Sequence, residues 1–438
     1  MSNTYQKKFR RAQPDPVSAE IAVPEQVIVS MAGIAESAKE GLLALAVGTG
    51  LQVMAAMFEE DVARLCGPDG KHNPDRAGYR HGAEAGSVTL GGRRLAVTRP
   101  RMRAADGSGE LHLPSYDLFS STEVLGQMAL EKMLAGLSSR RYVRGLEPAG
   151  QAIEDAAASV SKSAVSRRFV AATETALAEL MSKRLDDLDL VAFMVDGVHF
   201  GEHTCVVALG IGIDGTKHPL AVEEGSTENA TLATDLITGL RDRGLDVTRP
   251  ILAVLDGAKA LSRAVKDVFD KPLIHRCQQH KIRNVRDRLP EKMRTVVEKR
   301  MRAAYHAESA LQAEGLLTEL AAELAKTHPG AAASLREGMA ETLTILRLGV
   351  PPTLARTLRS TNSIESMIEI CREHSKNVKR WRDGTMALRW CAAGMVEAGH
   401  QFRRVNGHLH LPKLRAALDA HFTENVTAVS QNEDQKAA

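Results

Sequence analysis

Cysteine is too scarce and too scattered in this sequence to build a covalent scaffold. Cys66, Cys205, Cys277, Cys371 and Cys391 form an odd set without framework spacing, so reduced thiols and a cytoplasmic setting are expected. A long uninterrupted apolar run is also missing. The nearest, residues 41–58 (GLLALAVGTGLQVMAAMF), is broken by Gly-Thr-Gly and Gln52, which predicts two buried helical pieces rather than a membrane span of ~20 apolar residues. Residues 1–24 hold no apolar core segment, read as a flexible polar tail and do not resemble a secretory leader. Internal repeats and low-complexity tracts are lacking too. Charge of one sign is hardly in excess: a net +3 does not by itself announce nucleic-acid binding. What remains is an ordinary globular composition, 44% hydrophobic over 438 residues, enough for more than one core.

The charges are uneven, and their clusters carry more than their sum. After a helical region at 25–77, the segment 78–118 contains SVTL and RLAVT about Gly91-Gly92, the pattern of a β-hairpin. Five arginines fall between Arg93 and Arg103 with no acid among them, which points Arg99 and Arg101 toward a DNA backbone. The helical region 119–189 carries Arg140 and Arg141 and then residues 150–169, a short helix, a turn at 159–161 and a second helix. That pattern is similar to a helix-turn-helix, with Lys162, Ser163, Ser166 and Arg167 at the front of the recognition helix. Plain packing of short Ala-rich helices gives the same pattern.

From Leu190 the texture changes to β. VAFMVDGVHF, TCVVALGIGI and KHPLAVEE predict three strands, a helix follows over about 228–243, and ILAVLD and KPLIHRC predict two more strands around the helix AKALSRAVKDVF. This βββαβαβ order makes residues 190–284 an α/β core. Helices are expected at 285–355 and 356–421, and a disordered tail at 422–438. The run 281–302 holds nine Lys and Arg against three acids, more than a balanced solvated face needs.

Two acids interrupt the apolar strands: Asp196 in VAFMVDGVHF and Asp256 in ILAVLDGAKAL, each followed by Gly. A buried unpaired carboxylate is costly, so each asks for a donor or a cation. If the first and fourth strands of the core are neighbours, the two meet at one sheet edge. At ~4 Å and an effective dielectric of ~20 they would repel by ~4 kcal/mol, which a hard divalent metal offsets. Asp214 and Asp235 are weaker candidates, Asp214-Gly215 being a typical hairpin turn. A third acid, Glu365, lies in RSTNSIESMIEICREHSKNVKRW. On a helix it shares a face with Glu369, Arg372, Lys376 and Lys379, opposite Ile364, Met367, Ile368 and Cys371. A capping box from Asn362 to Glu365 would explain it equally well.

Asp196, Asp256 and Glu365 on this strand order resemble the DDE triad of an RNase H-like transposase. The stretches MVDGVHF, VLDGAKAL, HRCQQHKIRNVRDRLP, TNSIES and VKRWRDGTMALRW are similar to those of Mutator-like transposases of bacterial insertion sequences. The resemblance covers Leu190 to about Leu418 and extends less closely to GYRHG and the basic hairpin. It implies an RNase H-like core with an all-α insertion, preceded by a mainly helical DNA-binding region with a β-hairpin. It also implies two Mg²⁺ ions on the three carboxylates, with Mn²⁺ able to substitute, and hydrolysis that frees a 3′-OH followed by transesterification into target DNA. The partners implied are terminal inverted repeats, target DNA and a second copy of the chain, with no membrane, in a bacterial cytoplasm beside the nucleoid. Cys277 and His280, its C-x-x-H, take an auxiliary role beside the active site; a structural zinc would need a further ligand pair. Arg372, which follows Glu365 by about two helical turns, matches the family's basic residue and would hold a phosphate, with Lys376 and Lys379 along the backbone. A DNA-binding repressor or domesticated relative, or a metal-dependent structure-specific nuclease, are the competing readings.

Overall fold

The computed structural model describes residues 41–71, 73–146, 149–225 and 230–423, together with Pro24. The expected tails, 1–24 and 422–438, fall almost wholly outside these, as does the start of the helical region 25–77. Two compact units divide the chain between Phe169 and Val170.

Among the described residues, the first element of the first unit is α1 (Leu42–Cys66), a single helix where two pieces were expected. It runs through Gly48-Thr49-Gly50 because packing outweighs the ~1 kcal/mol propensity cost of a helical Gly: a Cβ at Gly50 would touch the Leu90 side chain at 3.4 Å. The hairpin is longer than its sequence signal. β1 (Gly78–Leu90) and β2 (Arg93–Ala104) pair from Leu90↔Arg93 outward, with a bulge between Arg80 and Ala83, and β3 (Glu110–Leu111) extends the sheet. Gly91 and Gly92 both have positive φ, 58° and 77°, as a type I′ turn requires. Val47, Met54 and Phe58 of α1 pack on Val88 and Leu95 of the hairpin. Then come α2 (Pro114–Ser120), α3 (Glu123–Leu134), α4 (Gln151–Ala156) and α5 (Lys162–Ser182), whose last turns belong to the second unit. The turn between α4 and α5 is pinned to β2 by backbone bonds in both directions between Arg94 and Ala158, 2.9 and 3.2 Å.

The second unit is built on a five-stranded sheet of order β6-β5-β4-β7-β8. Its strands are β4 (Leu190–Phe200), β5 (His203–Gly212), β6 (Lys217–Gly225), β7 (Ile251–Leu255) and β8 (Pro272–Arg276). β4 is antiparallel to β5 and parallel to β7, which is parallel to β8. The alternation of β4 explains its continuous apolar run. Ala192 and Met194 face a core shared with α15 (Asn362–Ser375) and α16 (Gly384–Gln401), while Phe193 and Val195 face α6 (Ala230–Asp242) and α7 (Lys259–Val268).

Between β8 and α15 lie α8 (Gln278–Arg286), α9 (Glu291–Tyr305), α10 (Ala310–Ala325), α11 (Pro329–Arg336), the single turns α12 (Met339–Thr342) and α13 (Thr344–Arg347), and α14 (Pro352–Leu358). The helices from α8 to α13 share a core of their own, including Val285, Met301, Leu317, Leu335 and Leu343. The basic run 281–302 is partly consumed here. Lys281 is fully buried, its Nζ donating to the carbonyls of Ser334 at 2.7 Å and of Glu337, and burial pulls its pKa down to about 8. Arg286 and Arg302 both pair with Glu298 at 2.8 Å, and Arg300 pairs with Glu323.

His275, fully buried in β8, has its pKa lowered to about 4 from an ordinary 6.5 by burial. The unfolded chain therefore binds the extra proton first, so stability present above pH 6.5 is lost as pH falls toward 4, by on the order of 3 kcal/mol. Denaturant titrations across that window should show a shallower pH dependence for His275→Leu than for the wild-type chain.

Candidate active site

The parallel pairing of β4 with β7 brings the two aspartates together. Its last matched pair is Met194↔Val254, and Asp196 and Asp256 each lie two residues beyond it, at the same level. Asp196 is not at the end of its strand, since β4 continues to Phe200 against β5 alone. Each carboxylate is half-buried and takes a backbone N–H from just beyond it: Asp196 Oδ1 from Gly197 within β4 at 2.8 Å, Asp256 Oδ1 from Ala258 in the loop after β7 at 2.7 Å. Asp214 instead closes its turn, accepting from the Thr216 N–H at 2.9 Å.

Gly257 has φ +108°, and a Cβ there would fall 2.1 Å from Arg276 Nε. Side chains of L residues rarely adopt this conformation, and the guanidinium beneath is buried. Gly257→Ala is expected to cost about 1–3 kcal/mol in thermal or denaturant unfolding. Gly239→Ala in α6, where a Cβ meets nothing within 4 Å, is the control and should be neutral or stabilising.

Glu365 stands on α15, whose Ile364, Met367 and Ile368 are buried in the same core as Met194 and Val254. No capping box forms. The helix opens at Asn362 with Thr361 as its N-cap, and the Thr361 side chain caps no backbone N–H. Thr361 Oγ1 donates to Glu365 Oε1 at 2.9 Å instead. His280 Nε2 lies 3.6 Å from the same oxygen, and His280 Nδ1 3.3 Å from Thr361 Oγ1. Cys277 Sγ is 3.5 Å from that hydroxyl. The C-x-x-H segment is also held by its backbone: Cys277 N–H donates to Leu255 C=O at 2.7 Å, and Gln278 N–H to Arg359 C=O at 3.0 Å. Cys277 and His280 thus lie between the end of β7, which carries Asp256, and the start of α15.

The hydrogen bond to Cys277 raises the His280 pKa against the opposing effect of burial, and the charges of Glu365 and Asp256 raise it further. Burial pushes the Cys277 thiol up, but its bonds with His280 and Thr361 outweigh this and leave it below the ordinary thiol value. All three acids supply hard oxygen donors, suited to Mg²⁺ or Mn²⁺. Among the described residues, however, no three His, Cys, Asp or Glu side chains already form a group able to hold a metal ion. Glu365 is engaged with Thr361 and His280 instead.

Arg372, Lys376 and Lys379 are exposed, Lys376 paired with Glu373. Beyond α15, Trp381 packs at a tilt of 50° against Phe200 at the end of β4, ring centres 4.9 Å apart, and ties down the loop carrying Lys379. In the first unit, Lys162, Ser163, Ser166 and Arg167 are exposed on α5 while Val165 and Phe169 are buried beneath them. Arg140 and Arg141 are exposed. Arg99 and Arg101 are not idle charges. Arg99 pairs with Glu84 and, at 3.6 Å, with Glu110; Arg101 pairs with Glu84 at 3.4 Å and Glu110 at 2.7 Å. Arg99 also lies over the Tyr116 ring, 4.8 Å from its centre.

Fold and site together define an α/β protein with carboxylates gathered where two parallel strands part. The chain belongs to the Mutator family of transposases, whose family model, "Transposase, Mutator family", matches residues 25–405. Among its relatives, the transposase for insertion sequence element ISRM5 of Rhizobium meliloti (strain 1021) is 25% identical over 366 residues, 83% of this chain and 90% of the relative. The transposase for IS6120 of Mycolicibacterium smegmatis is 28% identical over 294 residues, 66% and 88% of the two chains. The transposase for IS256 in transposon Tn4001 of Staphylococcus aureus is 24% identical over 335 residues, 74% and 82%. Among the described residues no helix is long and apolar enough to cross a membrane.

Proposed function

We propose that this chain is an insertion-sequence transposase with an RNase H-like core, in which Asp196, Asp256 and Glu365 hold divalent metal. The observation that carries the reading is the level placement of Asp196 and Asp256 beyond the parallel pairing of β4 and β7, with Glu365 on a helix of the same core. The strand order supports the fold, and the helices from α9 to α14 then form an insertion ahead of the Glu helix. When bound, two Mg²⁺ ions would stabilise charge on the attacking and leaving oxygens of an in-line displacement at phosphorus.

The protein's own contribution is placement. The sheet sets the two aspartates at one level, and the packed face of α15 anchors Glu365 in the core that Met194 and Val254 share. Arg372 and Lys379 offer positive charge to the phosphodiester. In the first step a water oxygen bonds to phosphorus and the 3′ oxygen leaves as a hydroxyl. In the second that 3′-OH bonds to a target phosphorus, and the target's 3′ oxygen leaves. Neither step needs a covalent protein–DNA intermediate. Two element ends must be joined together, so the active assembly holds at least two copies of the chain.

The test is strand transfer by the full chain in Mg²⁺, on duplexes carrying the inverted repeats that should flank its gene. Joined product supports the reading. Hydrolysis without joining would favour a nuclease, and end binding without cleavage a repressor. Glu365→Ala should lose cleavage and joining by roughly two to three orders of magnitude while binding ends, with Glu369→Ala mild. Near-normal strand transfer by Glu365→Ala would remove Glu365 from the site.

A further inference from the structure

We infer that Thr361 is a positioning residue: its buried hydroxyl anchors one oxygen of Glu365 and joins that carboxylate to Cys277 and His280. The inference rests on Glu365 being a metal-binding acid, and it adds a residue that neither a strand-end acid pattern nor the C-x-x-H motif contains.

An N-cap threonine ordinarily spends its side chain on a free N–H of the first helical turn. Thr361 occupies the N-cap position of α15, yet its side chain caps nothing. Its carbonyl does that work, accepting from the N–H groups of Ile364 and Glu365, both at 3.0 Å. The side chain is completely buried, so its hydroxyl must be satisfied within the protein. It has one hydrogen and three groups in reach that could accept it: Glu365 Oε1 at 2.9 Å, Cys277 Sγ at 3.5 Å and, in one imidazole tautomer, His280 Nδ1 at 3.3 Å. The carboxylate is the nearest and the strongest acceptor. With the hydrogen committed there, Oγ1 is left to accept from His280 Nδ1, 3.3 Å away.

The contacts to Glu365 have a common feature. Thr361 Oγ1 and His280 Nε2 both approach Oε1, which leaves Oε2 outside the network. A glutamate has three side-chain torsions to fix, and a carboxylate that must meet a cation loses affinity if it wanders. Holding one oxygen restricts those torsions while the other stays available. The anchor is itself braced, because Cys277 is tied by its backbone to Leu255, the residue before Asp256, and Gln278 to Arg359, two residues before Thr361. The C-x-x-H segment therefore reaches Glu365 both directly, from His280 Nε2, and through Thr361, linking the β7 end to the start of α15.

The test compares Thr361→Val, nearly the same shape without the hydroxyl, with Thr361→Ser, which keeps it. Binding of Mn²⁺ to the full chain is measured by calorimetry, and strand transfer is measured across a Mn²⁺ series. Thr361→Val should bind Mn²⁺ about 10-fold more weakly, with strand transfer partly recovered at high Mn²⁺, and Thr361→Ser should stay near wild type. Circular dichroism and unfolding of both variants show that each is folded. If Thr361→Val matches wild type in affinity and rate, or binds Mn²⁺ more tightly, the hydroxyl does not position Glu365. Equal loss in both variants would make the position merely structural and overturn the inference as well. Glu365→Ala separates this failure from failure of the underlying reading: if it too leaves Mn²⁺ binding unchanged, Glu365 is not a ligand at all.

Discussion

Asp196→Ala and Asp256→Ala should each reduce strand cleavage and joining by three orders of magnitude or more, while binding of element ends stays within a few-fold of wild type. The expectation follows from their placement. Two carboxylates level with one another beyond the last β4–β7 pair are poorly placed to read DNA bases and well placed to share a cation. Each variant also loses one backbone hydrogen bond, to Gly197 or Ala258, so folded stability should fall by only about 1 kcal/mol even as chemistry is lost. Gel-based cleavage and joining assays, beside binding and thermal unfolding on the same preparations, check all three quantities. A variant that unfolds, or that cleaves within tenfold of wild type, would show that the acids serve the fold rather than the reaction.

The second large effect is expected in the first unit, where recognition of ends and grip on the backbone should fail in different ways. Ser163 and Arg167 are exposed at the front of α5, held out by buried Val165 and Phe169, so replacing both should erode the preference for ends over scrambled duplex. Each lost base contact is worth ~1–3 kcal/mol. Replacing Arg140 and Arg141 should weaken binding to both duplexes alike and flatten its salt dependence by about one unit of slope per lost phosphate contact. Arg99 and Arg101, already paired with Glu84 and Glu110, should contribute less to that slope than their density in the sequence suggests. Titrations of the full chain with end and scrambled duplexes across a salt series separate the two classes. Unchanged discrimination in the Ser163 and Arg167 double variant would place recognition elsewhere.

The sheet was legible because its signals are local. Residues 190–200 are apolar on both faces since helices cover both, and an acid within or just after such an apolar run, Asp196 or Asp256, stands out against it. Given the strand order, the meeting of Asp196 with Asp256 followed. What stayed hidden depended on partners distant in sequence. Glu84 and Glu110 neutralise the hairpin arginines across strands, which a scan for acids between Arg93 and Arg103 cannot register. Lys281 looks like part of a basic surface until Ser334 and Glu337 supply buried carbonyls for it. Sequence favours Asn362 over Thr361 because a helix start is uncertain by a residue or two, and two of the Thr361 partners, Cys277 and His280, come from the distant C-x-x-H segment. The continuity of α1 was hidden for a related reason: glycine breaks a helix only where nothing is gained by close approach.

The separate core of α8 to α13 has a consequence in time. A ribosome delivers β4 and β7, with both aspartates, several seconds before it delivers α15, and the intervening helices can close their own core meanwhile. On the reading proposed above, the first unit's end-reading elements precede the third acid by nearly two hundred residues, and only the phosphate contacts of Arg372 and Lys379 follow it. A chain released before Asn362 would therefore sit on ends it cannot cut, competing with its own full-length product.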